Sequence, residues 1–394
     1  MPEEPSFETR CAHAGDGGGE QQVRPIAPEL FLASVFETAT LDETDRAMRL
    51  EPGRYSYSRD ANPTVVALER ALAALEGADS ALAMASGMGA ISTLFVALLS
   101  PGEHVVIARE LYGATVSLLS TQLARFGIRM SSADVTDAAA FESAIRPETK
   151  LIFVETVSNP LMRVADVPAL AEIARRRGAL VAVDASFTTP ALSAPLAQGA
   201  DLVVHSATKY LSGHSDVTAG VIAGDAAAIE RLRPVRKLFG PACSPMDAWL
   251  TLRGIKTLAL RVRRHTSNAA AVAEYLARHA KVRRVYYSGL AGDPQHALAA
   301  RVLPRGAGGM LSFEIDGGTA AVDRFMSGLS LVRFAASLAD VTTTISHPAL
   351  TSHRSFTPDE RAALGISDGL VRLSVGIESV ADICADLERG LAAT

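Results

Sequence analysis

Through the middle of the chain, short apolar runs alternate with longer stretches of helical periodicity. VVALERALAALEG carries apolar residues at helical spacing up to Gly77, which predicts an amphipathic helix ended by that glycine. The runs SALAMAS, HVVIA, KLIFVET, ALVAVDAS and DLVVHSA follow, with helical segments such as ISTLFVALLS and VPALAEIARRRG between them. Buried runs separated by helical patterns predict a mostly parallel sheet covered on both faces.

The two ends of the chain read differently. Residues 1–61 are irregular and rich in Gly, Pro and Glu, which suggests an arm lying over something else. Residues 62–256 hold the strand and helix alternation. Around the next boundary KTLALRVRRHTSNAAAVAEYLARHA is one long helical pattern. GGMLSFEI, a helix through AAVDRFMSGL, then LVRFAAS, VRLSVG and a last helix ADICADLERGLAA predict a smaller α+β domain over 257–394. No internal repeat or low-complexity tract interrupts this order.

Composition narrows the class. The 394 residues are 48% hydrophobic and 21% charged, an ordinary balance for a soluble globular protein. A net charge of −5 gives no basic footprint for nucleic acid, and Arg175, Arg176 and Arg177 read as solvated surface at a helix end. The cysteines Cys11, Cys243 and Cys384 are far apart, without disulfide or metal spacing, which fits a reducing compartment. MPEEPSFETR lacks an apolar signal core, and runs such as LFVALL are too short for a bilayer. These features predict a cytoplasmic protein with no membrane partner and no metal.

In open parallel sheets ligands sit at the carboxyl ends of the strands, so the residues just past those ends carry the chemistry. Past SALAMA, Ser86-Gly87-Met88-Gly89 opens a helix whose N–H groups can face an anion. Past HVVIA come Glu110, Tyr112 and Gly113; past KLIFV come Glu155 and Asn159; past ALVAV comes Asp184; past DLVV come His205, Ser206, Thr208 and Lys209. A lysine at such depth is costly if charged and unpaired, and a desolvated lysine is the kind that forms a Schiff base with an aldehyde. An aspartate facing a pyridine nitrogen keeps that ring protonated and electron-withdrawing. The set therefore points to pyridoxal phosphate.

Each part has a plainer reading. Asp184 can be structural, SGMG can be helix packing, and Tyr112 can be a buried aromatic. Ser206-Ala207-Thr208-Lys209 also matches the S-x-x-K of serine acyl-enzymes, but Ser215-Asp216-Val217 and Lys256-Thr257-Leu258 miss the two motifs that chemistry requires. SGMGAIS lacks the third glycine of a dinucleotide fingerprint.

DLVVHSATKYLSGHSDVTAG resembles the lysine signature of the transsulfuration (Cys/Met metabolism) family of pyridoxal-phosphate enzymes. YSYSRDANPT, ASGMGA, ELYGATV, ETVSNPL, VAVDASFTTP, LRGIKTLALR and VRLSVGIE match the same family in order. The resemblance covers nearly the whole chain. It implies an α/β aspartate-aminotransferase-like fold (fold type I of these enzymes), with a seven-stranded-type, mostly parallel sheet domain and a smaller C-terminal α+β domain. It implies Lys209 as the cofactor-bearing residue and the base at Cα and Cβ, and Asp184 as partner of the pyridine nitrogen. Gly87 and Met88 amides with Ser206 and Thr208 hydroxyls would hold the phosphate. Tyr57 and Arg59 would reach the phosphate in a neighbouring subunit, which implies a homo-oligomer, usually a dimer of dimers. Tyr112 would stack on the ring and act as acid, Asn159 would touch the 3′ oxygen, and Arg372 with Ser337 would bind the substrate carboxylate.

Three positions depart from the family pattern. Ala185 stands where an asparagine usually follows the aspartate. Ala114 replaces the cysteine of methionine γ-lyases. Ala336 replaces the glutamate that cystathionine-handling members place before the S-L pair. The stretch FTPDERAALGISDGLVRLSVGIE is most like methionine γ-lyases and homoserine-ester sulfhydrylases. The expected reaction is γ-elimination on a γ-substituted L-amino acid, releasing ammonia and a 2-oxo acid, with γ-replacement as the alternative. A non-catalytic subunit is disfavoured by intact Lys209, Asp184, Tyr112 and Arg372.

Overall fold

Each of the five apolar runs marked in the sequence is a strand. The computed structural model describes residues 5–16, 25–354 and 356–394. In chain order the first strands are β1 (Ser80–Met84), β2 (His104–Ala108), β3 (Arg129–Ala133), β4 (Thr149–Glu155), β5 (Leu180–Asp184), β6 (Leu202–Ser206) and β7 (Gly220–Gly224). After them come β8 (Val282–Tyr286), β9 (Met310–Ile315), β10 (Arg333–Phe334), β11 (Thr344–Ser346) and β12 (Leu370–Ser374). Two compact units share the described residues, one from Met1–Ser100 and Asp201–Ala259, the other from Pro101–Ala200 and Leu260–Thr394.

In the first unit β7 lies between β1 and β6 and runs antiparallel to both. The expected sheet was mostly parallel, and these two pairings are its antiparallel exceptions. The chain returns from β6 through 207–219 without a helix, and only a helical crossover would have brought it back parallel. The predicted amphipathic helix spans Pro63–Glu76. The Asn62 side chain accepts from the Thr64 N–H at its start, and Gly77 at φ 69° ends it in a left-handed cap. At the end of this helix the fully buried Glu76 carboxyl hydrogen-bonds the fully buried His205 of β6. Part of the N-terminal segment is tied to its own unit: Trp249 donates to the Pro28 carbonyl (2.8 Å) and Phe31 N–H to Thr64 Oγ1 (2.9 Å). Ile26, Leu32, Val35 and Leu41 of the same segment stay mostly exposed.

In the second unit the order β5-β4-β2-β3 is parallel throughout, as expected. β2 and β4 are almost wholly buried, which explains their unbroken apolar sequences. The later strands form a second sheet, β10-β11-β12-β9-β8. Leu311, Phe313, Phe325, Leu373 and Leu387 fill its core beneath the Gly318–Gly328 and Val380–Ala392 helices. Phe313 and Phe325 meet edge to face with centroids 5.7 Å apart. The long helical pattern is a helix from Leu258 to Ala277. Within the unit, its His265 donates from Nδ1 to the Val375 carbonyl (2.7 Å) and Asn268 from Nδ2 to the Gly376 carbonyl (3.0 Å). Among the described residues no helix is long and apolar enough to cross a membrane.

Burial lowers the His265 imidazole to about 4, against the opposing bond to Val375. The unfolded chain takes up this proton at an ordinary pKa of about 6.5, so the unfolded state binds more protons between that value and the folded one. Stability is complete above the unfolded value and falls as the pH drops towards the folded one. Urea unfolding midpoints of the wild type should be lower near pH 5 than near pH 7, and His265→Gln should narrow that difference. An undiminished difference in the variant would contradict this role.

Candidate active site

The candidate residues fall into two groups, one in each unit. In the first unit, Ser86 extends from the end of β1 and caps the Gly87–Leu98 helix, its Oγ accepting the Gly89 N–H at 2.9 Å. Ala90 N–H donates to the Ser86 carbonyl at 3.0 Å. The Gly87 and Met88 amides are left without an acceptor among the described residues, at the positive end of the helix. A Cβ at position 87 would lie 2.8 Å from Ser206 Cβ, and one at position 220 would lie 2.1 Å from the Ser86 carbonyl oxygen. Glycine at both places is what lets this helix start press against the ends of β6 and β7.

Ser206 ends β6, and the chain then turns tightly through Thr208 and Lys209. Thr208 N–H donates to the Ala219 carbonyl (3.3 Å), and Ala219 N–H donates to Thr208 Oγ1 (3.0 Å). The Thr208 hydroxyl thus accepts from the Ala219 N–H and donates to the Ala219 carbonyl at 3.3 Å. Lys209 N–H donates to the Ser206 carbonyl (3.1 Å), and Gly213 N–H to the Lys209 carbonyl (2.8 Å). Buried Ala207 and Tyr210 flank the lysine, which is itself half-buried. Tyr57 and Arg59 lie in this unit too. They stack on each other, the guanidinium carbon 5.1 Å from the ring centroid, and both are substantially exposed.

In the second unit, β4 and β5 end at the same level, with Glu155 and Asp184 as register partners. Asp184 Oδ1 accepts the Ser186 N–H at 2.8 Å. Glu155 Oε1 accepts the Tyr112 N–H at 2.8 Å, and the carboxyl is also bonded by the Asn159 N–H. Burial and the neighbouring Asp184 push the Glu155 carboxyl well above the ordinary carboxylate range. Beside the Tyr112 turn, buried Glu110 receives Arg163 Nη1 at 2.7 Å and the Val135 N–H at 3.2 Å. Tyr112 itself is 43% exposed, at the start of the Gly113–Ser117 helix.

Arg372 is buried in β12. Its Nη1 donates to Asn159 Oδ1 (3.0 Å) and its Nη2 to the Ser337 carbonyl (3.1 Å). With Oδ1 so engaged, the Asn159 amide group is the part that can donate to a further oxygen. His353 is buried nearby; burial, with Arg372 and Arg361 adding to it, lowers its imidazole to about 4. The second unit thus brings Tyr112, Asn159 and Asp184 around Glu155, and Arg372 and Ser337 around Asn159. Glu155 was visible in the sequence as a strand-end acid without an assigned part.

A family model described as Cys/Met metabolism PLP-dependent enzyme matches residues 8–392. The L-methionine gamma-lyase of Pseudomonas putida is 44% identical, over 99% of this chain and 98% of its own length. The O-succinylhomoserine sulfhydrylase of Pseudomonas aeruginosa is 44% identical, over 98% of this chain and 96% of its own. The solved cystathionine gamma synthase from Xanthomonas oryzae pv. oryzae, in complex with cystathionine, superposes with a TM-score of 0.93 at 41% identity, covering 99% of both chains. The fold is therefore that of the type I pyridoxal-phosphate enzymes, as expected. The residues present fit the cofactor, since the Gly87 and Met88 amides at the helix start lie against the Ser206 side chain, which a Cβ at Gly87 would meet, a suitable donor set for a phosphate ester. The chain belongs to the Cys/Met metabolism family of pyridoxal-phosphate-dependent enzymes.

Proposed function

We propose that this enzyme catalyses γ-elimination on a γ-substituted L-amino acid, releasing ammonia and a 2-oxo acid. The observation that carries the reading is the Arg372 clamp. A buried guanidinium, oriented by Asn159 and the Ser337 carbonyl, suits a planar carboxylate bound through two parallel hydrogen bonds. Elimination is supported by the likeness to the P. putida γ-lyase, and by Ala336, which offers no carboxylate to the distal amino group of cystathionine. γ-Replacement is the second reading, supported by the equal identity to the sulfhydrylase.

When bound, pyridoxal phosphate supplies an electron sink for charge that develops at the substrate Cα. Lys209 is the residue that carries it, and afterwards the base that moves protons from Cα and Cβ. Tyr112 gives a proton to the departing γ substituent. Asp184 would pair with the pyridine nitrogen and Asn159 would donate to the 3′ oxygen. Gly87 and Met88 amides, with the Ser206 and Thr208 hydroxyls, would hold the phosphate. Residues 1–61 are an arm that serves a second copy of the chain, where Tyr57 and Arg59 complete the phosphate site. The domain boundaries at 61/62 and 256/257 follow from that division of labour, and dimers pair into tetramers.

Methionine, homocysteine, cystathionine and the O-acyl homoserines, each with and without an added thiol, separate the two reactions. A 2-oxo acid and ammonia in equal amounts are expected without thiol; thioether formed only with thiol would favour replacement, and no turnover of any of them would refute both. Arg372→Lys should raise KM by roughly tenfold or more, because a point charge cannot replace the paired contacts; an unchanged KM would contradict the clamp. Mixing inactive Lys209→Ala and Arg59→Ala proteins under subunit exchange should restore activity. No recovery would contradict action of Arg59 across subunits.

A further inference from the structure

In the second unit, buried Glu155 touches two candidate site segments and adjoins a third. Its carboxyl accepts the Tyr112 N–H at 2.8 Å and is bonded by the Asn159 N–H, and its register partner on β5 is Asp184. Asn159 in turn accepts from Arg372 at 3.0 Å. We propose that Glu155 is a positioning residue, which fixes the Tyr112 turn and the Asn159–Arg372 pair relative to Asp184.

The charges around it decide the form in which it does so. Parallel strands lie about 4.8 Å apart, and a buried carboxyl level with the half-buried Asp184 on the next strand is costly to ionise. Glu110 is a third acid close by, though Arg163 at 2.7 Å offsets it. Arg372 is already occupied by Asn159 and the Ser337 carbonyl. Glu155 is 9% exposed, and burial raises its proton affinity more than the two N–H bonds lower it. Asp184 accepts the Ser186 N–H, a bond that favours its charged form. Burial and the neighbouring Asp184 therefore favour the neutral form of Glu155. A neutral carboxyl still accepts both amides through its oxygens, so Glu155 orients its neighbours without competing with Asp184 for a cation.

The parts assigned to Tyr112, Asn159 and Asp184 rest on the reading above, so the test is chosen to have a readout that needs no substrate. Glu155→Gln keeps the shape and an accepting oxygen and carries no charge; Glu155→Ala removes the acceptor. Each variant holoenzyme is compared with wild type in the visible absorbance and circular dichroism of its cofactor, across a pH titration, and then in kcat and KM. Glu155→Gln should match wild type in band shape, titration midpoint and kcat. Glu155→Ala should lose dichroism, drop kcat by roughly 100-fold through misplacement of Tyr112, and raise KM through a loosened Arg372. A Gln variant as impaired as the Ala variant, or an Ala variant equal to wild type, would overturn the inference. If the Ala variant does not fold, the Gln variant decides alone: wild-type behaviour upholds a neutral acceptor and impairment refutes it. Should no γ-substituted amino acid react, the substrate-free spectra still judge Glu155 while the proposed reaction fails.

Discussion

Ser86 and Gly220 approach so closely that a single added carbon at position 220 would stand 2.1 Å from the Ser86 carbonyl oxygen. Much of the first unit follows from that crowding. The Gly87–Leu98 helix begins against the end of β6, where its unoccupied amides and Ser206 face the same recess. β7 must be small where it passes, hence Gly220 at its start. The turn that carries Lys209 is closed by Thr208 bonding to Ala219, the residue just before that glycine. Backbone bonds on both sides, Lys209 N–H to the Ser206 carbonyl and Gly213 N–H to the Lys209 carbonyl, fix the turn on which Lys209 sits.

The second unit solves a different problem, the placing of unlike charges in a dry region. Asp184, Glu155 and Glu110 lie at or just past the ends of strands and Arg372 in the middle of β12, and each has an acceptor, a donor or a neutralising partner. Bare burial of any one would cost several kcal/mol. Backbone amides do most of the compensation, from Ser186 to Asp184, from Tyr112 and Asn159 to Glu155, and from Val135 to Glu110. Amides are fixed by the fold, so the acids are held at defined positions.

The five long apolar runs were legible because two-sided burial writes itself as an unbroken apolar string, as in HVVIA. The Pro63–Glu76 helix was legible from Asn62, Pro63 and Gly77, which cap it locally. β7 was missed because GVIAG is too poor in large residues, its composition being set by the distant Ser86. β3 and β8 were missed because they are largely exposed and carry Arg129, Arg283 and Arg284. In LVRFAAS, Arg333–Phe334 form β10, and Ala335 N–H bonds the Ile345 carbonyl beside it. The site residues were found through their order on strand ends and through family motifs. Glu155 had no motif to mark its part, because what it holds are backbone amides of residues whose side chains draw the attention.

The cofactor attachment is common to every reading of the reaction. Borohydride reduction of the purified holoenzyme, followed by peptide mass spectrometry, fixes the cofactor to the amine that bears it. The label is expected on Lys209 and nowhere else; a label on another lysine, or none on a protein supplied with pyridoxal phosphate, would contradict the central assignment.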